Sequence, residues 1–197
     1  MNEEKTIHNR GAATKMLTES ALFVALAIVL SLFKMAQWPY GGSITLGSMI
    51  PIALISLKYR FGWSLLTAMA YSLIQMMLGF YAPPVENLLY YSLMILLDYV
   101  VAFSVLSLSG PIYRKLNQGL PVRLRLMTSM LICFVLRFFC HFASGIIIWG
   151  TYAPEGQPVW LYSLVYNGPY MLGECIIGAV ILLIAGKTII NLFMGSK

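Results

Sequence analysis

The chain has 197 residues, of which 59% are hydrophobic and only 10% are charged. Soluble domains carry about 25% charged residues, so the composition excludes a soluble globular protein and predicts an all-α integral membrane protein. We attribute the net charge of +6 to topology signals in the loops rather than to nucleic-acid binding. Neither GxxxxGK[ST] nor GxGxxG occurs, so any ATP hydrolysis that drives this protein must come from another subunit.

Six apolar segments are predicted to be transmembrane helices, since about 20 residues cross the hydrocarbon core. Residues 1–16 precede them as a polar cytoplasmic arm, loose or interfacial, and residues 17–197 form a single six-helix transmembrane domain. The second helix is short and contains Pro51. No internal repeat is visible, which argues against the inverted-repeat secondary transporters. The predicted helices cover residues 17–35, 45–58, 62–80, 88–109, 125–149 and 161–190.

The distribution of basic residues predicts the orientation of the chain. With six spans and a cytoplasmic N-terminus, eleven of the thirteen Lys and Arg residues lie in inner segments, and Lys34 and Arg137 are the exceptions. Because Lys and Arg concentrate in cytoplasmic loops, both termini are predicted to be cytoplasmic. The same rule favours a second segment that crosses the membrane, since Lys58 and Arg60 would otherwise lie outside.

Cysteine and histidine spacings point to no metal site. The cysteines lie in apolar stretches without the spacing of metal ligands, so we expect reduced packing residues. His141, Asp98 and Glu174 do not follow HExxH or a related pattern, so neither a metal, a cofactor nor an enzyme activity is predicted. The three cysteines are Cys133, Cys140 and Cys175.

The segment from Arg137 to Glu174 carries polar and aromatic side chains in stretches that are otherwise apolar enough for a membrane. Polar groups are costly in hydrocarbon unless they are partnered, so they indicate a candidate site. Arg137 and His141 share one face of the fifth helix because they are four residues apart. We expect that face to meet Asp98 on the fourth helix and a polar, aromatic stripe on the sixth. The stripe contains Tyr162, Tyr166, Asn167, Tyr170 and Glu174.

Several of these residues also have structural interpretations. Asp98 needs a partner because a buried charge is costly, and that partner is Arg137, His141 or a ligand cation. Arg137 is expected to pair with Asp98 or Glu174 inside the protein rather than to bind a ligand. His141 could be a packing histidine. Three aromatic residues could belong to the membrane-interface belt: Trp149, Trp160 and Tyr162.

Four runs of sequence together resemble the thiamine-specific S component of energy-coupling-factor vitamin transporters. The likeness extends over nearly the whole chain, and its H-x7-W-x2-Y-A run followed by YSLxxNG is not a generic membrane pattern. The resemblance implies a bacterial plasma-membrane protein of six helices that captures extracellular thiamine with high affinity. It also implies a transmembrane coupling subunit and two cytoplasmic ATPase subunits as partners. The runs are GGSITLGSMIPI (41–52), LLDYVVAF (96–103), RFFCHFASGIIIWGTYAP (137–154) and WLYSLVYNGPYMLGE (160–174).

The resemblance also implies roles for individual residues. Asp98 stands where the family has an acidic residue that contacts the aminopyrimidine, and Tyr99 follows it. Trp149 matches the tryptophan that stacks on the ligand. The family's pyrimidine and hydroxyl contacts correspond to His141, Tyr162 and Asn167. Candidates in the loops are Trp38, which would close the pocket, and Tyr81.

On the first helix, Ala21 and Ala25 are spaced so that another helix can approach closely, and the resemblance implies that they contact the coupling subunit. Thiamine itself fits the site residues, because its cationic thiazolium favours aromatic faces and a carboxylate. Two alternatives remain open. One is an S component for another vitamin or a thiamine precursor. The other is a stand-alone channel or proton-coupled carrier with a relay of Asp98, Arg137, His141 and Glu174.

Overall fold

The computed structural model describes the backbone of residues 2–194 and the side chains of residues 11–191. This part of the chain is mainly helical, which confirms the predicted class of an α-helical membrane protein. Five helices are long and apolar enough to cross a membrane, and the apolar helix Met49–Lys58 is shorter. The five are Gly11–Leu32, Phe61–Leu78, Leu88–Lys115, Val122–Ile147 and Val159–Asn191.

The first part of the fold differs from the prediction in two ways. Helix α1 begins at Asn2 and not at residue 17, so the backbone of the arm that was predicted to be loose or interfacial is helical from residue 2. A β-hairpin follows where only a loop was predicted, and its strands pair Lys34 with Thr45 and Gln37 with Ser43. The elements in this part are α1 (Asn2–Leu32), β1 (Lys34–Gln37), β2 (Ser43–Thr45), α2 (Met49–Lys58) and α3 (Phe61–Leu78).

The next span, Leu88–Lys115, is a composite helix that changes its winding along its length. It continues beyond residue 109, where the predicted helix ended. Its parts are α4 (Leu88–Met94), a π-helical stretch (Ile95–Val101), α5 (Ala102–Ser104), a 3-10 stretch (Val105–Leu108) and α6 (Ser109–Lys115). Then come α7 (Val122–Ile147), a 3-10 turn (Gly150–Tyr152) and α8 (Val159–Met194).

Side-chain contacts show that α1 and α3 run in the same direction and α2 runs against them. Trp63 and Gln75 on α3 donate hydrogen bonds to Ser20 and Ser31 on α1, respectively. Lys58, the last residue of α2, lies 2.6 Å from Glu19 on α1. The chain therefore turns back at the hairpin and returns along α1. We call the two ends of the bundle the hairpin end and the Lys58 end.

The remaining helices continue this alternation. The composite helix starts near the hairpin end, where Tyr99 donates to the Gly79 carbonyl, and reaches the Lys58 end, where Gly110 N–H donates to Ser56. Helix α7 returns to the hairpin end. Helix α8 packs against α7 and runs from the hairpin end back to the Lys58 end. All six helical segments thus alternate in direction.

Helix α2 lies in the middle of the bundle, and its residues from Met49 to Leu57 are all buried. Protein therefore surrounds this short helix over nearly its whole length. Apolar clusters pack around both halves of α2. The cluster at the Lys58 end consists of Ile50, Ala53, Leu54, Leu57, Tyr113, Leu126, Met130 and Leu182.

Two glycines allow unusually close approaches between helices. A Cβ at Gly110 would lie 1.7 Å from the Ser56 carbonyl oxygen, so α6 and α2 touch backbone to backbone. A Cβ at Gly145 would lie 2.2 Å from Ser163 Oγ. This second contact brings α7 and α8 together beside the polar residues of the candidate site.

Candidate ligand-binding site

A cavity of about 200 Å³ lies between the hairpin, α3, the composite helix, α7 and α8. This volume is below the ~300 Å³ at which ligand pockets usually begin, so the cavity suits a small molecule. Exposed residues such as Tyr40 lie at its mouth, at the hairpin end, and the buried Glu174 lies at its floor.

Asp98 reaches the cavity from the π-helical stretch Ile95–Val101. A π-helix replaces i→i+4 hydrogen bonds by i→i+5 bonds and recurs at functional sites. The wider turn changes which side chains face α7, compared with a regular α-helix. Asp98 is thereby directed towards α7, while Tyr99 also lines the cavity and donates to the Gly79 carbonyl at 2.7 Å.

Three side chains from α7 and the turn after it hold the Asp98 carboxylate. His141 Nδ1 lies 3.0 Å from Oδ1, and this nitrogen carries the hydrogen because a carboxylate only accepts. Ser144 Oγ and Trp149 Nε1 donate to Oδ2 at 2.6 and 3.0 Å. Both carboxylate oxygens are therefore engaged, and the charge remains at the cavity wall.

Asn167 links α7 to α8 at the level of His141. Its side-chain amide donates to the His141 carbonyl at 3.3 Å and to Ser163, and its oxygen accepts from Tyr170 at 2.7 Å. The side chain is buried and faces the cavity. Its hydrogen bonds hold the polar wall in a defined geometry.

Aromatic rings form much of the upper wall and the mouth. Tyr162, Tyr166 and Trp149 line the cavity from α8 and the end of α7. Tyr40 at the tip of the hairpin stacks on Tyr152 with ring centroids 4.4 Å apart. Tyr166 donates to the Gly41 carbonyl at 2.9 Å. These contacts attach the hairpin to the bundle over the cavity.

The floor carries Arg137 from α7 and Glu174 from α8. One oxygen of Glu174, Oε1, accepts hydrogen bonds from the backbone N–H and the hydroxyl of Thr45, where β2 ends. The guanidinium carbon of Arg137 lies 3.8 Å from the centroid of the Phe103 ring. The predicted pairing of Arg137 with Asp98 or Glu174 is wrong, because no ion pair of Arg137 with either occurs among the described side chains.

Most of the predicted site residues come together around the cavity. The three helices that were expected to converge do so, and His141 is the partner of Asp98. Trp38 is different, because its ring packs against Tyr170 at 5.9 Å and does not line the cavity. Tyr81 does line the cavity and accepts a hydrogen bond from Gln37. The predicted residues that line it are Asp98, Tyr99, His141, Trp149, Tyr162 and Asn167.

Several contributors were not predicted. Tyr71 and Gln75 line the cavity from α3, although the sequence around them resembles an ordinary amphipathic span. Ser144 holds Asp98, and its position three residues after His141 on the same helix face was a usable signal. Thr45 could not be predicted, because it contacts Glu174, which is 129 positions away in sequence.

Outside the cavity, Ala21 and Ala25 lie on an exposed face of α1. Large apolar side chains on this helix are also exposed, including Leu22, Leu26 and Val29. The face is therefore available to lipid or to another helix. Among the described residues, no group of three or more His, Cys, Asp or Glu side chains is arranged to hold a metal ion.

Comparisons with known proteins agree with one another. Residues 17–194 match the family model described as thiamine transporter protein (Thia_YuaJ). The thiamine transporter ThiT of Bacillus subtilis strain 168 is 31% identical, over 96% of this chain and 99% of that protein. ThiT of Lacticaseibacillus paracasei is 29% identical over 44% of this chain and 46% of its own length.

A solved structure of ThiT from Listeria monocytogenes matches with a TM-score of 0.72 and 28% identity, over 92% of this chain and 98% of that one. The agreement therefore extends from the sequence to the arrangement of the helices. The chain belongs to the thiamine transporter protein family and is a multi-pass protein of the bacterial plasma membrane that transports rather than catalyses.

Proposed function

We propose that this protein is the thiamine-binding S component of an energy-coupling-factor transporter. The observation that carries the proposal is the Asp98 carboxylate, held by His141, Ser144 and Trp149 at the wall of a small aromatic cavity. Membership of the thiamine transporter family supports thiamine as the substrate.

The chemistry of this wall suits an organic cation. A permanently charged thiazolium is attracted by a carboxylate and by the faces of aromatic rings, and both effects strengthen where water is excluded. Asp98 supplies the charge, and Trp149 and Tyr162 supply the rings. Asp98 accepts three hydrogen bonds, and a carboxylate has about four acceptor positions. We therefore propose that Asp98 attracts the thiazolium charge and also contacts the aminopyrimidine, as the resemblance implies. Tyr99, His141 and Asn167 complete the wall, and Trp38 supports it from behind through Tyr170.

We further propose that all six helical segments cross the membrane, with both termini in the cytoplasm and with residues 17–197 as the substrate-binding domain that follows the arm 1–16. The alternating helix directions support this topology. So does the concentration of Lys and Arg in the segments at the Lys58 end. The hairpin end is then extracellular, and the cavity mouth opens towards the external substrate.

Thiamine binding is tested by titrating the purified protein in detergent and following tryptophan fluorescence. We expect quenching with an affinity in the nanomolar range, because Trp149 lies at the cavity, and Trp149→Phe should remove most of the signal. No response to thiamine together with a response to another vitamin or a thiamine precursor would change the substrate and keep the class.

Coupling is tested on the exposed face of α1. We propose that Ala21 and Ala25 allow a helix of the transmembrane coupling subunit to approach closely, and that two ATPase subunits drive the assembled complex. Ala21→Leu with Ala25→Leu should abolish co-purification with the coupling subunit while thiamine binding remains. Ala70→Leu, at an exposed position of α3, is the matched control. Co-purification that survives the double variant contradicts this interface.

One observation favours a second candidate, a proton-coupled carrier. The hydrogen-bonded pair of Asp98 and His141 lies near Arg137 and Glu174 inside the bundle, as a proton relay would. Vesicles that contain only this chain separate the two functions. Uptake of thiamine that follows a proton gradient without ATPase subunits supports the carrier, and uptake only after the coupling module is added supports the S component.

A further inference from the structure

A second cavity lies away from the candidate site, between α7 and α8. Its volume is about 160 Å³, and its lining is mainly apolar. Leu124 and Leu131 line it from α7 and are 45% and 51% exposed, so the cavity is a groove that opens to the hydrocarbon of the membrane. Gly178, Ala179 and Leu182 line it from α8.

Small residues on α8 make room for this groove. Gly178 has no side chain, and a Cβ there would lie 2.8 Å from the Phe134 ring. The groove extends about 10 Å from Leu131 to Leu124, since each helical residue rises 1.5 Å, and this direction leads to the Lys58 end. Side chains that line an empty space lose dispersion contacts, so the groove gains from an occupant.

An arginine lies where the groove reaches the Lys58 end. Arg123 precedes the groove residue Met127 by four positions and therefore shares its face of α7. Its Cγ lies 3.6 Å from the position that a Cβ of Gly186 would take, so the arginine stem crosses onto α8. Such stems lie along apolar surface while the charged head stays at the polar interface. Arg123 is exposed, as is Lys187, which follows Gly186 on α8.

The charge at this end of the groove is positive. Neither Arg123 nor Lys187 forms an ion pair among the described side chains. Glu19 is the only carboxylate that the described residues place at the Lys58 end, and Lys58 lies 2.6 Å from it. An anionic group at the groove therefore meets two available cations, and the nearest carboxylate is already neutralised.

We propose that the groove binds one anionic phospholipid, with an acyl chain between α7 and α8 and the headgroup phosphate at Arg123 and Lys187. Basic pockets between transmembrane helices bind acidic lipid headgroups in this way. An apolar helix of a partner protein would fill the groove but leave both cations without a counter-charge, so a phospholipid fits better. The site depends neither on thiamine nor on a coupling subunit.

The charge preference is tested by titrating the purified chain in detergent with two lipids and counting bound lipids by native mass spectrometry. Phosphatidylglycerol and phosphatidylcholine with the same acyl chains differ in the net charge of the headgroup. We expect one phosphatidylglycerol to bind at least about fivefold more tightly than phosphatidylcholine. Equal affinities for the two lipids, or no bound lipid, overturn the proposal.

Arg123→Gln tests the residue that carries the argument. Its side chain is exposed, so the fold should survive, and the affinity for phosphatidylglycerol should fall about fivefold while that for phosphatidylcholine stays nearly unchanged. Arg60→Gln is the matched control, because it removes the same charge from an exposed position between α2 and α3. Equal losses in both variants would mean that only the overall charge attracts the lipid, which overturns the site.

The position of the acyl chain is tested with phosphatidylglycerol that carries a photoreactive group in that chain. After irradiation in vesicles of phosphatidylglycerol and phosphatidylcholine, peptide mapping should find the label in segments 124–131 and 178–182. Ala179→Leu fills the groove and should remove most of this label, whereas Ala70→Leu, at an exposed position of α3, should not. A label spread evenly over the helices overturns the proposal, and this wild-type result is decisive even if Ala179→Leu does not fold.

Discussion

A comparison of two arginines on α7 shows that the two ends of the bundle provide different partners for a buried charge. At the Lys58 end, both terminal nitrogens of Arg125 donate, one to Gln118 and one to the Tyr113 hydroxyl, and only its Nε lacks a partner. Its guanidinium carbon lies 4.5 Å from the Tyr113 ring centroid. At the hairpin end, Arg137 lies over Phe103, and Nε and one terminal nitrogen lack partners. Residue type and helix are the same, and only the surroundings differ.

The surroundings of the two arginines differ because the two ends have different tasks. The Lys58 end is closed by an apolar cluster and by the backbone contact of Gly110 with Ser56. The hairpin end keeps a cavity whose polar groups are partly unpaired. Apolar clusters pack at both ends of the bundle, and at the hairpin end the packing leaves a cavity between the helices.

The largest expected effect concerns the closed end. Gly110→Val would place a Cβ only 1.7 Å from the Ser56 carbonyl oxygen. Helices α6 and α2 would therefore have to separate. We expect a loss of about 3 kcal/mol or more in unfolding free energy, measured by denaturation in detergent. Gly62→Ala, where a Cβ meets open space, is the control. If Gly110→Val were as stable as the wild type, the close packing of α6 and α2 would not stabilise the Lys58 end.

The next effect concerns the cavity end. Asp98→Asn keeps the shape of the side chain and removes the charge that faces the ligand. We expect thiamine affinity to fall by at least about 2 kcal/mol, or ~30-fold, because the ligand cation loses its charged partner; a fluorescence titration measures this. Glu155→Gln, in the exposed loop before α8, removes an equal charge away from the cavity and should leave the affinity unchanged. Equal losses in both variants would mean that overall charge matters, not the site.

Exchanging each arginine for glutamine tests the comparison directly. Arg125→Gln should lower the unfolding free energy by about 1.5 kcal/mol, because hydrogen bonds to a charged group are lost, and should leave ligand affinity unchanged. Arg137→Gln should instead lower the ligand affinity and leave the unfolding free energy nearly unchanged. Thermal-shift and ligand-binding measurements on both variants test this. If both variants lose the same property, the two arginines do not have separate roles.

The smallest expected effect concerns Tyr59, at the Lys58 end. Tyr59 donates a hydrogen bond to Glu19 at 2.6 Å, and burial together with this acidic partner raises the pKa of its phenol to about 12. The folded state then holds the proton more tightly than the unfolded state, whose pKa is about 10. This contribution to stability is fully present below pH ~10 and is lost as the pH rises through ~12.

Tyr59→Phe should therefore lower the unfolding free energy by about 1 kcal/mol at neutral pH and remove this alkaline dependence. Unfolding midpoints measured at several pH values above 9 check the expectation. Tyr91→Phe serves as the matched substitution and should keep the wild-type profile. An unchanged alkaline profile in Tyr59→Phe would assign the loss of stability to other groups.

The sequence predicted the helices well where their boundaries are marked chemically. Pro83 and Pro84 separate α3 from the composite helix, and Pro154 and Pro158 separate α7 from α8. The hairpin was missed, because its strands are short and its pairing depends on contacts with α8. Trp38 was expected to close the cavity; its ring packs against Tyr170, and Tyr40 lies at the mouth.

The candidate site shows a similar division. Helical spacing placed Arg137 and His141 on one face of α7, and the cost of a buried charge required a partner for Asp98. The spacing did not say which helix faces meet. The π-helical stretch at Asp98 and the close approach at Gly145 made that choice, and both arise from packing between helices.

The sequence by itself determined that the chain is a helical membrane protein, which residues carry charge in its spans, and through its motifs which family it resembles. Hydrophobicity and spacing are local properties, so they can be read along the chain. Only the tertiary structure decided that His141 holds Asp98, that Trp38 lies behind the cavity and that Arg137 and Glu174 keep unpaired atoms at its floor. These features depend on contacts between residues far apart in sequence, and only the packed bundle brings those residues together.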